Sequence, residues 1–592
     1  MAYRAPVSDI VFTMTHAAGF GRAVEEGLHG DLSLDLAVSI VEEAGRFAGE
    51  VIAPLNQVGD RVGAVFADGV VTTPPGWKDT YRAWTEAGWN GLAAPVEHGG
   101  QGLPILLSSA CAEMWSAAAL SFSLCPLLTM GGIEALAAHG SDDLEARYLE
   151  KAVSGAWPVT MNLTEPQAGS DLSALRARAE RTGDGSYRIK GQKIFITYGE
   201  HDLSDNILHL VLARLPDAPA GTRGISMFLV PKILPDGTRN DLRCSGIEHK
   251  LGIHGSPTCT MSYGDGAGAV GWLVGEENRG LGCMFTMMNN ARLVVALQGV
   301  AVAERAYQQA LAFAVERRQG RAPGAAGEAM SAIVEHADVQ RNLLTMKALT
   351  GAARAICYRA AEALDRSHRS ADPAARAQAY ECAAMLTPVA KAFSTDIGVE
   401  VASIGIQVHG GMGFIEETGA AQYLRDARIL PIYEGANGIQ EIDLVTRKLP
   451  LSEGGTVRAL IAGMRATAER LRSAPIAFGS SAERLAQAVE SLQRATDGLL
   501  QAVSKGSLID ALAVASPYLR LFGLTLGGVL LADMALAAQA LAEAGGEGGC
   551  DHQARVALCR FYAESILPGV QGLEVAVAAG SGPLTDASLA LS

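Results

Sequence analysis

Leu163-Thr164-Glu165-Pro166-Gln167-Ala168-Gly169-Ser170-Asp171, followed by Gln192-Lys193-Ile194-Phe195-Ile196-Thr197, lies in a stretch whose pattern is β rather than helical. Between Pro158 and Val274 short β-type runs (VTMNLT, YRIKGQKIFIT, NILHLVLARL, GISMFLVP) are separated by turns such as GDGS and PDGT. Short strands at that spacing predict a compact antiparallel barrel or sandwich. On the N-terminal side, from Ser33 to Lys151, the pattern is helical. Leu34, Ala37, Val38, Val41, Ala44 and Ala48 recur at helical spacing behind an N-cap candidate, Ser33. The segment PVEHGGQGLPI reads as a Gly/Pro loop inside that region. On the other side, Leu281 to Lys448 holds three long Ala-rich stretches and a last shorter one, interrupted by the linker GRAPGAAGEA. Four such stretches predict a helix bundle. A further helical block follows Leu449-Pro450 and runs to about Gln571.

The chain has 592 residues, of which 49% are hydrophobic and 19% charged, enough apolar surface for several cores and too much for intrinsic disorder. Its net charge is −15, and no Lys/Arg block stands out against it, which argues against a nucleic-acid partner. Nine cysteines with no C-x-x-C pair fit a reducing compartment and argue against a disulfide framework or a structural zinc, so no metal is expected. The opening MAYRAPVSDIVFTMTH has no positively charged lead into an apolar run, so no secretory signal is expected. The longest apolar run, Leu521 to Ala532, falls short of the roughly 20 residues a membrane span requires and reads as a buried helix. The expectation is a soluble cytoplasmic protein without a membrane span.

Three stretches could carry chemistry. Glycine and small hydroxyl residues in the first let backbone N–H groups approach a planar, anionic cofactor; the plain alternative is a Gly/Ser turn before a strand. The second is Ile406-Gln407-Val408-His409-Gly410-Gly411-Met412-Gly413-Phe414, whose glycines would admit a pyrophosphate. It is not G-x-G-x-x-G and lacks a βαβ setting, which argues against a Rossmann nicotinamide site. The alternative is a helix end with His409 in a structural role. In the third, Arg425 to Gln440, Glu434 stands between an apolar run and the Gly-rich turn that opens the last bundle helix. With Pro, Ile, Tyr and Gly around it, few charged groups solvate it, and desolvation would raise its pKa. The alternative is a glutamate favoured at a helix N-terminus.

Taken together and in order, TEP-x-AGSD, QK-x-(aromatic)-IT, GG-x-G and IYEG closely resemble the acyl-CoA dehydrogenases over about Ser33 to Lys448. The phrases ITYGEHD, EHKLGIHGSPT, LVGEENRGLGCMFTMMNNAR and YEGANGIQEIDLVTRKL, with the extra C-terminal block, look like the long subgroup that includes 3-methylmercaptopropionyl-CoA dehydrogenases. The resemblance implies a mostly α fold with a central β-barrel: an N-terminal helical domain with a leading extension (1–157), a middle β-barrel (158–275), a four-helix bundle (276–448) and an additional C-terminal helical domain (449–592).

It also implies FAD as cofactor and α,β-dehydrogenation of an acyl-CoA thioester. Glu434 matches the catalytic base. Some members carry that base immediately before an arginine on another helix, but here Ala291 precedes Arg292 and cannot serve. Thr164, Gly169 and Ser170 match residues along the flavin ring and its phosphates, and Phe195 and Thr197 those that cover the ring, with Phe195 where the family often has Trp. Arg317, Gln407, Gly410 and Gly411 match contacts to the diphosphate and adenine of the partner subunit's FAD, which implies a homodimer. Gly320, where a Phe is common, and Ala436 and Gly438, where shorter members are polar, depart from the pattern. Asn289, Arg292, Tyr433 and Gly435 are the expected substrate-binding residues, and Lys250 and Arg243 are candidates for the CoA phosphates.

The expected substrate is 3-(methylthio)propanoyl-CoA or another short acyl-CoA, with electron-transfer flavoprotein as acceptor. The alternatives are a medium- or long-chain acyl-CoA dehydrogenase, an acyl-CoA oxidase, and a DNA-associated alkylation-response flavoprotein. The last would carry a basic C-terminal domain, whereas AERLAQAVESLQRATD mixes both signs of charge.

Overall fold

The computed structural model describes residues 3–325, 329–474, 478–545 and 549–591; part of the linker GRAPGAAGEA, 326–328, lies outside them. Helix begins at Val7–Thr13, ahead of the predicted region, and Ser33 caps Leu34–Phe47 by accepting from Leu36 N–H. A short hairpin, Val65–Ala67 with Val70–Thr72, interrupts the helical block unannounced by any periodicity. Helices α1 (Ile105–Ala118) and α2 (Leu120–His139) are apolar nearly all round and mostly buried, as such helices must be.

Eight strands follow: β1 (Val159–Asn162), β2 (Arg178–Arg181), β3 (Tyr187–Thr197), β4 (Leu208–Arg214), β5 (Ile225–Pro231), β6 (Leu242–Ile247), β7 (Thr258–Tyr263) and β8 (Ala269–Val274). Strands β3, β2, β4, β5 and β8 pair in that order, and β8 returns to β3, closing a barrel. The second half of β3 leaves the ring and pairs with β7, which pairs with β6. The predicted antiparallel order holds for most pairs but not for all. β1 runs parallel to β4, Val159 opposite Leu208, because the β2–β3 hairpin intervenes and supplies the long crossover a parallel pair needs.

The bundle comprises α3 (Gly280–Glu316), α4 (Ala337–Arg369), α5 (Pro373–His409) and the short α6 (Asn437–Asp443), extended by one further turn, Leu444–Lys448. A Cβ at Gly299 would stand 2.3 Å from the Ser394 carbonyl, so α3 and α5 touch backbone to backbone there. The C-terminal block packs on the bundle through α7 (Ala515–Glu543), where Gly523 fits under the ring of Phe393 and Arg520 pairs with Glu400 at 2.7 Å. Leu521 to Ala532 is buried there, as the sequence predicts. Two helices, α2 and α7, are long and apolar enough to cross a membrane by length and composition, and 78% and 83% of their apolar windows are buried within the protein.

Candidate active site

The barrel, α2, α3 and the loop before α6 enclose a cavity of about 520 Å³, within the ordinary range for a cofactor or substrate pocket. Its barrel wall includes Thr164, Gly169, Ser170, Phe195 and Thr197. The helical wall includes Ala291 and Arg292 from α3, and the loop contributes Tyr433, Glu434 and Gly435. Sequence positions from three separate elements therefore meet in one space.

The barrel wall is held by an ion pair out of water. Lys193, from the middle of β3, donates to Glu165 Oε1 at 2.8 Å and to the Leu163 carbonyl at 2.9 Å. Glu165 also accepts the backbone N–H groups of Arg176 and Ala177, at 2.7 and 3.0 Å. Burial pushes the Glu165 carboxyl up, but Lys193 and these N–H donors more than offset it and leave its pKa below the usual value. Burial pulls Lys193 down to about 8 against the opposing pull of Glu165.

Just beyond Lys193 the β3–β7 register slips, a β-bulge between Lys193 and Ile196. Within it Phe195 takes a φ of +60°, a region that bulky side chains avoid, and the residue is 59% exposed beside the cavity. An aromatic face held in strain at a cavity wall is a platform for a planar ligand. Gly169 has no heavy atom within 4 Å of where a Cβ would sit, so a ligand can approach the turn closely. On the opposite wall Arg292 Nε is buried without a hydrogen-bond partner, a donor suited to an anionic group. The residues present fit FAD: a ring platform at Phe195 and an open Gly/Ser turn beside it.

Glu434 also sits in left-handed backbone, φ +55°, followed by Gly435 at +87°. Burial pushes its carboxyl up to about 7, opposed by Arg292 and Lys391. The sequence expectation of few charged neighbours is corrected here, since two cations face this carboxylate from α3 and α5. Burial outweighs both. Lys391, wholly buried, donates to the Gly435 carbonyl and to Asn437 Oδ1, each at 2.9 Å, and Asn437 in turn donates to Asp396 Oδ1 at 2.8 Å. The Tyr433 hydroxyl bonds Gln298 on α3. The catalytic-type loop is thereby fixed from both long helices. Lys391 was missed in the sequence, although a single lysine inside the apolar run MLTPVAKAF was the available signal.

Other expected residues fall elsewhere. Asn289 is exposed and off the cavity wall; its Oδ1 accepts from Arg292 Nη1 at 3.2 Å, because it lies one turn back on α3. Lys250 donates to the Ser256 carbonyl at 2.9 Å and Arg243 pairs with Asp265 at 2.6 Å, so neither reaches the cavity. Arg447, just past α6, lines it instead. Arg317 ends α3, 25 residues beyond Arg292, a helical rise of about 37 Å. Gln407 lies in the last turn of α5 and Gly410 and Gly411 follow it, beside the end of α3, where Phe313 stacks on His409 with ring centres 4.6 Å apart. These four form a second, exposed locus away from this chain's own cavity.

The chain matches family models described as acyl-CoA dehydrogenase, N-terminal domain (37–156), middle domain (160–265) and C-terminal domain (278–449), and acetyl-CoA dehydrogenase C-terminal like (460–588). It is 46% identical over 572 residues to the 3-methylmercaptopropionyl-CoA dehydrogenase of Ruegeria pomeroyi, covering 96% of each chain. Against a butyryl-CoA dehydrogenase of Syntrophomonas wolfei it is 35% identical over 549 residues, 88% of each. The structure of an acyl-CoA dehydrogenase complexed with FAD from Bacillus anthracis superposes with a TM-score of 0.74 at 20% identity, over 92% of this chain and 88% of that one, a likeness of fold. The chain belongs to the acyl-CoA dehydrogenase family, FAD-dependent oxidoreductases that act on acyl-CoA thioesters.

Proposed function

We propose that Glu434 is the base that removes the α-proton of a short acyl-CoA thioester, 3-(methylthio)propanoyl-CoA or a close straight-chain analogue. The observation that carries this is a strained, desolvated carboxylate lining the same cavity as an exposed aromatic platform. The short-acyl reading is supported by the 46% identity to the Ruegeria pomeroyi enzyme over nearly the whole chain.

Bound FAD supplies the hydride acceptor for the β-hydrogen. Phe195 and Thr197 would hold its ring and Thr164, Gly169 and Ser170 its neighbouring phosphate side. Proton removal builds negative charge on the thioester oxygen, and that charge needs donors placed in advance. Among the described residues the Glu434 N–H has no protein acceptor, which leaves it available for the oxygen. One such donor is typically worth about 3–4 kcal/mol in an oxyanion site. Arg292 tempers the carboxylate and, with Arg447, offers positive charge to CoA. Tyr433 and Gly435 frame the acyl group. Asn289 would act only through Arg292.

A flavin in this cavity is too far from this chain's Arg317, Gln407, Gly410 and Gly411 to touch them. We assign these four to the nucleotide half of a second copy's FAD, which requires a homodimer. Electron-transfer flavoprotein is the proposed acceptor. The reading is tested by mixing flavin-loaded protein anaerobically with butyryl-CoA and 3-(methylthio)propanoyl-CoA and following the oxidised flavin band. Bleaching by both is expected, with reduction of electron-transfer flavoprotein on its addition. An unchanged band contradicts the substrate class, and peroxide formed at the rate of turnover in air contradicts the acceptor.

A further inference from the structure

His29 lies in the turn after the short helix Phe20–Glu25, in the leading extension, and its side chain is 0% exposed. Its ring stacks on that of Phe20 with centres 5.1 Å apart. Among the described residues neither ring nitrogen has a hydrogen-bond partner. Burial, helped by Arg369 and Arg366, holds the imidazole down to about 4, so the ring is neutral and one nitrogen keeps a free lone pair. A buried polar group left without a partner is costly, and two on one ring call for an occupant.

Two carboxylates of α4 face that ring. Glu362 Oε2 stands 3.9 Å from His29 Nε2, and the Glu362 side chain is 1% exposed. This oxygen has no hydrogen-bond donor among the described residues. Asp365, three residues further along α4 and equally buried, accepts the N–H groups of Ile105 and Leu106 at the start of α1, at 2.8 and 2.9 Å. One ligand atom from each of His29, Glu362 and Asp365 lies within 4.8 Å of the other two. Arg366 Nε is 3.1 Å from Glu362 Oε1, and Arg369 Nε is 3.6 Å from Asp365 Oδ1. Both arginines have other partners, Glu26 at 2.7 Å and the Gly102 carbonyl at 2.8 Å respectively. They do not offset burial, which still pushes the Glu362 carboxyl up to about 7 and that of Asp365 to about 6. A carboxylate offers about four lone-pair sites, so a cation at Glu362 Oε2 would leave both arginines in place.

We propose that His29, Glu362 and Asp365 form a structural site for a divalent transition-metal ion, zinc by the chemistry of the donors, that ties the leading extension to α4. One imidazole nitrogen with two carboxylate oxygens suits zinc, whereas magnesium and calcium favour oxygen donors throughout. Zinc bonds of about 2.0–2.2 Å put tetrahedral donors about 3.4 Å apart, so closing from 4.8 Å asks for side-chain rotation rather than a shift of α4. Glu362 also lines a cavity of about 690 Å³ between α4, α5 and residues 452–460, which gives an ion an approach. The expectation of no metal rested on cysteine spacing, and this set contains no cysteine. None of the three residues lines the active-site cavity, so the site stands apart from the dehydrogenase reading.

The test uses the full-length, FAD-loaded protein without a histidine tag, stripped with a chelator and dialysed against zinc chloride. Elemental analysis after gel filtration should find about one zinc per chain, and zinc should raise the thermal midpoint. His29→Ala and Glu362→Gln should each weaken zinc binding by about a hundredfold or more, while retaining FAD and turning over butyryl-CoA within about twofold of the unaltered rate. Should Glu362→Gln fail to fold, His29→Ala alone carries the test. Cobalt(II) in place of zinc should give a visible absorption band that His29→Ala abolishes, which reads the imidazole ligand directly. Retention of less than about one-tenth of an equivalent by the unaltered protein overturns the proposal. So does zinc held equally well by the FAD-retaining variants, which would mark an adventitious ion only. A midpoint raised as much by magnesium or calcium as by zinc overturns the assignment of the metal. Metal and FAD content are read without turnover, so failure of the dehydrogenase reading would leave this result standing.

Discussion

Lys193 Nζ lies 2.8 Å from Glu165 Oε1, with 0% and 3% of the two side chains exposed, and this pair joins the two sequence motifs that form the barrel wall of the cavity. Removing one partner strands the other as a buried charge, which typically costs 3–5 kcal/mol. Lys193→Met is therefore expected to lower the thermal midpoint and to loosen FAD. Lys193→Met with Glu165→Gln should recover much of the stability, because no uncompensated charge remains. Thermal melts with and without added FAD check both. A single variant as stable as the unaltered protein would show that the pair does not support the turn.

Glu434 must be charged to take a proton, and its carboxyl is pushed up to about 7 by burial. Flavin reduction should therefore rise with pH through an apparent pKa near that value. The effect on stability has the opposite sign. A raised folded-state pKa favours the neutral form, so this group stabilises the fold below the ordinary carboxyl pKa and loses that contribution as pH rises through about 7. Stopped-flow bleaching between pH 5 and pH 9 reads the kinetic limb, and a flat profile contradicts the assignment.

Lys391 should move that limb. It faces Glu434 together with Arg292, and Asp396 and Glu441 are the other charges around it. Lys391→Met removes a cation, so the Glu434 carboxyl should titrate higher and the rising limb should shift to higher pH. The variant also frees the Gly435 carbonyl and removes one of the bonds that hold Asn437, so the limiting rate should fall about tenfold or more, on the order expected when a positioned group drifts. A slower enzyme with an unmoved limb would assign Lys391 a purely structural role.

Ala291 lines the same cavity as Glu434, immediately before Arg292. A carboxylate placed there has access to the substrate from α3. Glu434→Gly combined with Ala291→Glu is expected to recover measurable flavin bleaching where Glu434→Gly alone has none. No recovery in a double variant that retains FAD would place the reacting carbon out of reach of α3.

The layers of the fold were legible because their periods differ: strands with Gly/Asp turns between Pro158 and Val274, and 3.6-residue Ala-rich repeats on either side. Motifs such as Thr164, Gly169 and Glu434 were legible as local patterns, and the structure brings them to one cavity. The parallel β1–β4 pair was not legible, since pairing direction depends on how the chain crosses between strands rather than on residues within them. Lys391 was hidden for a related reason. It lies 43 residues before Glu434 and meets the loop only after α5 has packed against it. Lys250 and Arg243 looked suitable by charge alone, but local partners already use them.

The central claim is that one carboxylate at position 434 takes the substrate proton. It is tested most directly by Glu434→Gln, which keeps the size and shape of the side chain and removes the base. The flavin-loaded variant, mixed anaerobically with the acyl-CoA that bleaches the unaltered protein fastest, should bind FAD normally and bleach at least about 10³-fold more slowly, more than a positioned base alone contributes at the low end. Bleaching within tenfold of the unaltered rate would contradict the claim and assign the proton to another group.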